Sequence, residues 1–146
     1  MTLIDAEENL IALAEALRPG LLRASRLLRR EAQKAGVSAL DAQLMGAIFK
    51  QPGVSGGELA EAEQMSAPSM SAHLKRLESV GWIEREPPGA GDRRRVGLRV
   101  TAAGEAALGA IRAQRNAWLA RRLDALSARD RRAIAAAVEP LKRLAE

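Results

Sequence analysis

Residues 66–101 constrain the fold more than any other stretch, because they prescribe a helix, a stop and a hairpin in immediate succession. From Ser66 the large apolar residues fall at Met70, Leu74, Leu77 and Val80. Steps of four and three put them on one stripe of an α-helix, and that stripe enters a core. The opposite face holds Pro68, Ser71, Ala72, Lys75 and Arg76, which are small or cationic and carry no apolar bulk. Gly81 follows, a residue free to take the positive φ that ends a helix. Trp82-Ile83-Glu84-Arg85-Glu86 then reads as a short strand. Pro87 and Pro88 lack the N–H that a strand ladder needs, which forces a turn over 87–91. On the return, Val96, Leu98 and Val100 alternate with Gly97 and Arg99, the period-two pattern of a half-buried strand. Between the strands stands Asp92-Arg93-Arg94-Arg95. A helix sized to enter a groove, followed by a hairpin tipped with cations, outlines a winged helix and points to DNA.

Composition narrows the alternatives. A chain of 146 residues fits one domain, or one domain plus an oligomerisation arm. Hydrophobic content is 47% but aromatic content only 2%, so the core is one of closely packed Ala- and Leu-rich helices rather than a sheet sandwich. The absence of cysteine removes disulfides, thiolate metal sites and cysteine redox sensing, and a lone histidine argues against a His-based metal centre. No apolar run reaches the roughly 18 residues of a membrane span. Asp5, Glu7 and Glu8 stand where a signal peptide would be basic, so a cytoplasmic location is expected. No paired carboxylates, nucleophile–base set or phosphate-binding glycine loop is visible, which argues against an enzyme and against a bound cofactor.

The net charge is +5, and its placement says more than its size. Residues 1–17 hold four acids and no base, whereas residues 66–101 hold seven bases against four acids. A basic segment that coincides with a groove-entering motif is the electrostatic footprint of nucleic-acid binding.

Elsewhere the chain alternates apolar helix faces with caps. Residues 3–17 pattern as an amphipathic helix with Leu10, Leu13, Ala14 and Leu17 on one face. Pro19-Gly20 is expected to separate it from a second helix that runs to about Lys34, because an interior Pro loses a hydrogen bond and clashes with the preceding turn. That second helix uses Leu21, Leu22, Leu28 and Ala32 for burial and presents Arg23, Arg26, Arg29 and Arg30. Ser38-Ala-Leu-Asp41 is a capping-box variant and Ser55-Gly-Gly-Glu58 a closer match, the second opening a short helix that buries Leu59 and Ala62. With Ser66 capping the next helix, the pair forms a helix-turn-helix. Thr101 starts a long helix to about Leu123 with Leu108, Ile111, Trp118 and Leu119 on one side. Ser127 caps a last helix carrying Ile134, Val138, Leu141 and Leu144, which Pro140 should bend or shorten. A winged helix needs only the middle of this chain, so the flanking helices must bury their apolar faces elsewhere, and a second copy, giving a homodimer, is the natural partner.

From about 37 to 104 the sequence resembles the MarR family of multiple-antibiotic-resistance-type regulators. The resemblance rests on Ser66-Ala-Pro-Ser-Met-Ser-Ala-His-Leu-Lys-Arg-Leu-Glu, on Gly81-Trp-Ile-Glu-Arg, and on Asp92-Arg-Arg-Arg-Val-Gly-Leu-Arg-Val-Thr-Ala-Ala-Gly104. It implies a mainly α fold with a small two- to three-stranded antiparallel wing. Residues 1–36 and 102–146 would be dimerisation helices around a DNA-binding lobe at 37–101. Further implications are a homodimeric repressor on double-stranded DNA, Ser66, Pro68, Ser69 and Ser71 at the major groove, Arg94 in the minor groove, and Asp92 orienting the wing arginine. A pocket for a small aromatic or anionic effector would lie between the dimerisation helices and the lobe. Where many relatives carry a mid-helix arginine, this chain has Ala72-His73.

Chemistry assigns the individual contacts. Lys75 and Arg76 suit the phosphate walls, Ser69 and Ser71 can donate to phosphate or base edges, and Ala72 and the Pro68 ring can pack on a thymine methyl. Arg94, flanked by Arg93 and Arg95, suits a narrow A·T-rich minor groove. His73 flanks the apolar stripe and reads as a packing or phosphate neighbour rather than a base reader. Trp82 and Trp118 read as core or dimer residues. A second class of function, a winged helix whose basic face holds an acidic protein partner, differs in its prediction of absent or sequence-independent DNA binding.

Overall fold

The computed structural model describes residues 3–86 and 96–146, with side chains from residue 9 onward. The elements are α1 (Leu3–Lys34), α2 (Ala39–Lys50), β1 (Val54–Ser55), α3 (Gly56–Ala62), α4 (Ala67–Val80), β2 (Ile83–Arg85), β3 (Gly97–Val100), α5 (Ala102–Asp124) and α6 (Ala128–Leu144). The caps expected from the sequence form: Ser38, Ser55, Ser66, Thr101 and Ser127 each accept a hydrogen bond from the backbone N–H three residues on. Each satisfies one donor that a helix start would leave unpaired.

The strands form an antiparallel sheet in the order β1-β3-β2, with Val54 opposite Leu98 and Ile83 opposite Val100. The mainly helical fold with its small antiparallel sheet is the one expected. The third strand, β1, is two residues long and too short to carry a period of its own.

The lobe's core gathers Leu44, Met45 and Ile48 of α2, Leu59 and Ala60 of α3, Met70, Leu74 and Leu77 of α4, and Val54, Ile83 and Leu98 of the sheet. A smaller cluster of Ala32, Val37, Ala42 and Ile111 joins α1, α2 and α5, and Trp82, Ala107 and Leu108 touch both clusters. Beneath the second cluster the buried Glu31 accepts from Lys34 Nζ at 2.8 Å and from Gln114 Nε2 at 3.1 Å, tying α1 to α5. Those two bonds hold the Glu31 carboxyl below its ordinary range.

Several expectations change. Pro19 does not divide the first 34 residues, for α1 runs through it from Leu3 to Lys34. One missing N–H costs about 3 kcal/mol in a helix interior, and the Ala, Leu, Glu and Arg residues on both sides favour helix enough to carry the chain across. Pro140 does not shorten α6, which reaches Leu144. Val80 is exposed, because at the last turn of α4 it lies past the edge of the lobe core. In α3 the buried partner of Leu59 is Ala60, and Ala62 faces outward. Leu21 and Leu22 are exposed on α1, and α6 buries no residue within the single chain. No helix among the described residues is long and apolar enough to cross a membrane.

Candidate nucleic-acid interface

Local chemistry fixes α4 at both ends. Ser66 takes extended backbone angles, and its side chain accepts from Ser69 N at 3.3 Å. Pro68 falls in the first turn, where no helical donor is required. At the other end Gly81 has φ 87°, and its N–H and that of Trp82 reach back to the carbonyls of Glu78 and Leu77, both at 3.0 Å. This double closure satisfies the last carbonyls and needs the left-handed backbone that glycine supplies. Met70, Leu74 and Leu77 anchor the inner face.

The C-terminus of α4 is clasped to the base of the hairpin. Thr101 Oγ1 donates to the Gly81 carbonyl and accepts from Gly104 N at 3.1 Å, while Thr101 N donates to Trp82 O at 3.0 Å. Gly104 sits so close to this junction that a Cβ there would lie 2.1 Å from the Trp82 carbonyl oxygen. The Thr101-Ala-Ala-Gly104 stretch, a Thr-x-x-Gly pattern, thus has a physical cause: threonine caps α5 and holds the turn after α4, and glycine lets the two backbones meet.

Ser66, Pro68, Ser69, Ser71, Ala72, Lys75 and Arg76 all stand exposed along α4, so the structure brings these predicted residues onto one element. The remaining four, Asp92, Arg93, Arg94 and Arg95, lie outside the described residues. The bases differ in how committed they are. Arg85 pairs with Glu78 at 2.9 Å, bracing β2 against α4, and Arg99 pairs with Glu86 across the β2–β3 ladder. Lys75 has no acidic partner among the described residues.

Arg76 is held inward. Its Nη1 and Nη2 donate to the two carboxylate oxygens of Asp41 at 2.6 and 2.5 Å, and Nη2 lies 3.2 Å from His73 Nδ1. Asp41 is 4% exposed, in the first turn of α2. The hydrogen bonds from Arg76 hold its carboxyl below the ordinary range against the opposing effect of burial, and the Arg76 charge and the Ser38 bond add to the shift. From the sequence Asp41 is only a capping acid. Its partner is 35 residues away, a separation that no helical or strand period connects.

A groove of about 260 Å³ lies between α2 of the lobe and the flanking helix α5, and its lining is what the sequence left unnamed. Ala42, Leu108 and Ile111 line it, together with Phe49, while Lys50 and Arg112 supply positive charge. A larger concavity of about 590 Å³ runs past Arg18, Arg23, Arg26 and Arg30, but residues of α1 alone line it, so it has no second wall. Among the described residues no cluster of His, Asp or Glu could hold a metal ion.

Comparison with known proteins agrees with this architecture. The MarR family model matches residues 35–95. An HTH-type transcriptional regulator of Mycobacterium bovis is 30% identical over 119 residues, 82% of this chain and 82% of that protein. The crystal structure of a transcriptional regulator from Pseudomonas aeruginosa superposes with a TM-score of 0.77 at 32% identity, covering 100% of this chain and 99% of the other. A variant of MepR from S. aureus, solved bound to an oligodeoxyribonucleotide, shares the fold at a TM-score of 0.69 and 18% identity, over 92% and 98% of the two chains. With its capped helix-turn-helix, three-stranded wing base and these relatives, the chain belongs to the MarR family of winged-helix, DNA-binding transcriptional regulators.

Proposed function

We propose that two copies of this chain form a homodimeric repressor that grips a pseudo-palindromic operator and releases it when a small aromatic or anionic effector occupies the α2–α5 groove. The observation that carries the DNA contact is the outer face of α4: short hydroxyls, Pro68, Ala72 and an uncommitted Lys75, on a helix locked at both ends. Such a face can lie in a major groove without a bulky side chain holding it off, with Ser66, Ser69 and Ser71 near base edges and phosphates. MepR was solved on an oligodeoxyribonucleotide, and the shared fold supports the same use here. Arg94, with Arg93 and Arg95 beside it and Asp92 to orient it, is assigned to the minor groove.

The homodimer is supported by uncovered apolar faces. Leu10, Leu13, Leu17 and Leu21 of α1, and Ile134, Val138, Leu141 and Leu144 of α6, are all exposed in the single chain. A second copy covers them by symmetry and sets two α4 helices about 34 Å apart, one turn of duplex. The groove supports the effector reading because it pairs apolar walls with cations, which suits a flat or aliphatic acid.

The test is a mobility shift on DNA from upstream of the protein's own gene, over a range of salt and with a panel of aromatic acids. Sequence-dependent binding whose log affinity falls by about 0.9 per phosphate neutralised, for each unit of log salt, is expected. Absent or sequence-blind binding overturns the proposal.

A further inference from the structure

We infer that Asp41 and Arg76 act as a positioning pair for DNA reading: α2 holds the recognition helix at its working angle through a carboxylate–guanidinium clamp. The inference rests on the reading of α4 as the groove-entering helix. On that helix Arg76 is cationic and surface-facing, yet both of its terminal nitrogens are spent on Asp41, at 2.6 and 2.5 Å. The side chain is 48% exposed on its outer side while its partner's side chain is 6% exposed. A fork-to-fork pair of this kind fixes direction as well as distance, which a single ammonium contact does not.

The place of the clamp gives it leverage. Apolar packing by Met70, Leu74 and Leu77 holds the inner stripe of α4. The Thr101 clasp secures only the C-terminal end, at Gly81. Arg76 ties the side of the helix to the first turn of α2, and its Nη2 also meets Nδ1 of His73 one turn earlier on the same helix. His73 accepts there when Nδ1 carries no proton. Ser38, which caps α2, binds Asp41 N at 3.1 Å and so fixes the acid's own backbone. The chain of contacts runs from the α2 cap through Asp41 and Arg76 to His73, which follows Ser71 and Ala72 in the helix. Arg76 therefore works through α4, as a positioning residue, and Lys75 beside it remains for the phosphate.

The two roles for Arg76 separate experimentally. Wild type, Asp41→Asn, Arg76→Lys and the double variant are titrated by fluorescence anisotropy on two duplexes. One is selected for tight binding to the wild-type protein from a random pool; the other is its scrambled sequence. Arg76→Lys keeps a charge for phosphate but loses the fork. The clamp predicts that each single variant weakens the selected duplex about tenfold, leaves the scrambled duplex and the salt slope unchanged, and that the double variant is no weaker than the worse single. Wild-type affinity in Arg76→Lys, or undiminished affinity in Asp41→Asn, overturns it. Equal loss on both duplexes, tracking a lowered Tm, also overturns it, as a purely structural role. If the wild type itself fails to distinguish the duplexes, the proposed function fails instead.

Discussion

Replacing Gly104 with alanine tests the junction that holds α4 to the hairpin. The new Cβ would stand 2.1 Å from Trp82 O, 2.6 Å from Val100 Cγ1 and 3.0 Å from Trp82 C. Two of those three atoms are backbone, and the Trp82 carbonyl already accepts from Thr101 N. The clash therefore cannot be relieved by one side chain turning away. Forcing a methyl into a filled site costs about 1–3 kcal/mol, and rigid backbone neighbours argue for about 3. Alanine in a helix returns about 1 kcal/mol over glycine, leaving a net loss of about 2 kcal/mol. In a domain of this size that lowers Tm by roughly 4–8 °C. Gly109, further along the same helix, is the internal control, since a Cβ there meets nothing within 4 Å. Gly109→Ala should gain about 0.5–1 kcal/mol. Urea melts at one fixed protein concentration compare the two, because self-association would make the midpoint concentration-dependent. Opposite signs are expected. A Gly104→Ala protein as stable as Gly109→Ala would refute the close approach and with it the explanation of the Thr-x-x-Gly pattern.

The folded protein holds the Asp41 carboxyl below its ordinary range, so the pair's contribution is present above the unfolded value and disappears as pH falls through the folded one. Urea midpoints taken from pH 7 down to pH 3 should therefore fall less steeply in Asp41→Asn than in wild type; parallel curves would deny the pair that role. At pH 7 the substitution should cost about 1–2 kcal/mol, discounted because Arg76 is half exposed. Lys75→Ala should weaken every duplex alike and lower the salt slope by about 1, whereas Arg94→Ala should cost about 1–3 kcal/mol on an A·T-centred operator. Leu141→Glu places a charge on the uncovered α6 face, and sedimentation should show a folded monomer with weakened operator binding; an intact dimer would move the interface elsewhere.

Helix starts were readable because capping is local: a serine or threonine and the N–H three residues later belong to one short segment, as at Ser38, Ser55, Ser66, Thr101 and Ser127. The stripe of Met70, Leu74 and Leu77 was readable for the same reason. Proline misled at 19, and at 140 as to shortening, since local rules price the lost bond but not the helix-favouring residues on either side. Charge misled differently. Arg76, Arg85 and Arg99 count toward a basic face in the sequence, but the fold pairs each with an acid. The Arg99 pair follows from strand register, the Arg85 pair from packing of β2 on α4 and the Arg76 pair from packing of α2 on α4, and none of them is written in local spacing. The lining of the α2–α5 groove was hidden likewise, for Phe49 and Arg112 come to one groove only through tertiary structure.

Hydroxyl-radical footprinting of the wild-type protein on its selected duplex tests the paired recognition helices most directly. Two protected patches related by two-fold symmetry, with centres about 10–10.5 base pairs apart, are expected. A single unsymmetrical patch, or uniform protection without regard to sequence, would contradict a dimer that sets one α4 in each of two successive major grooves.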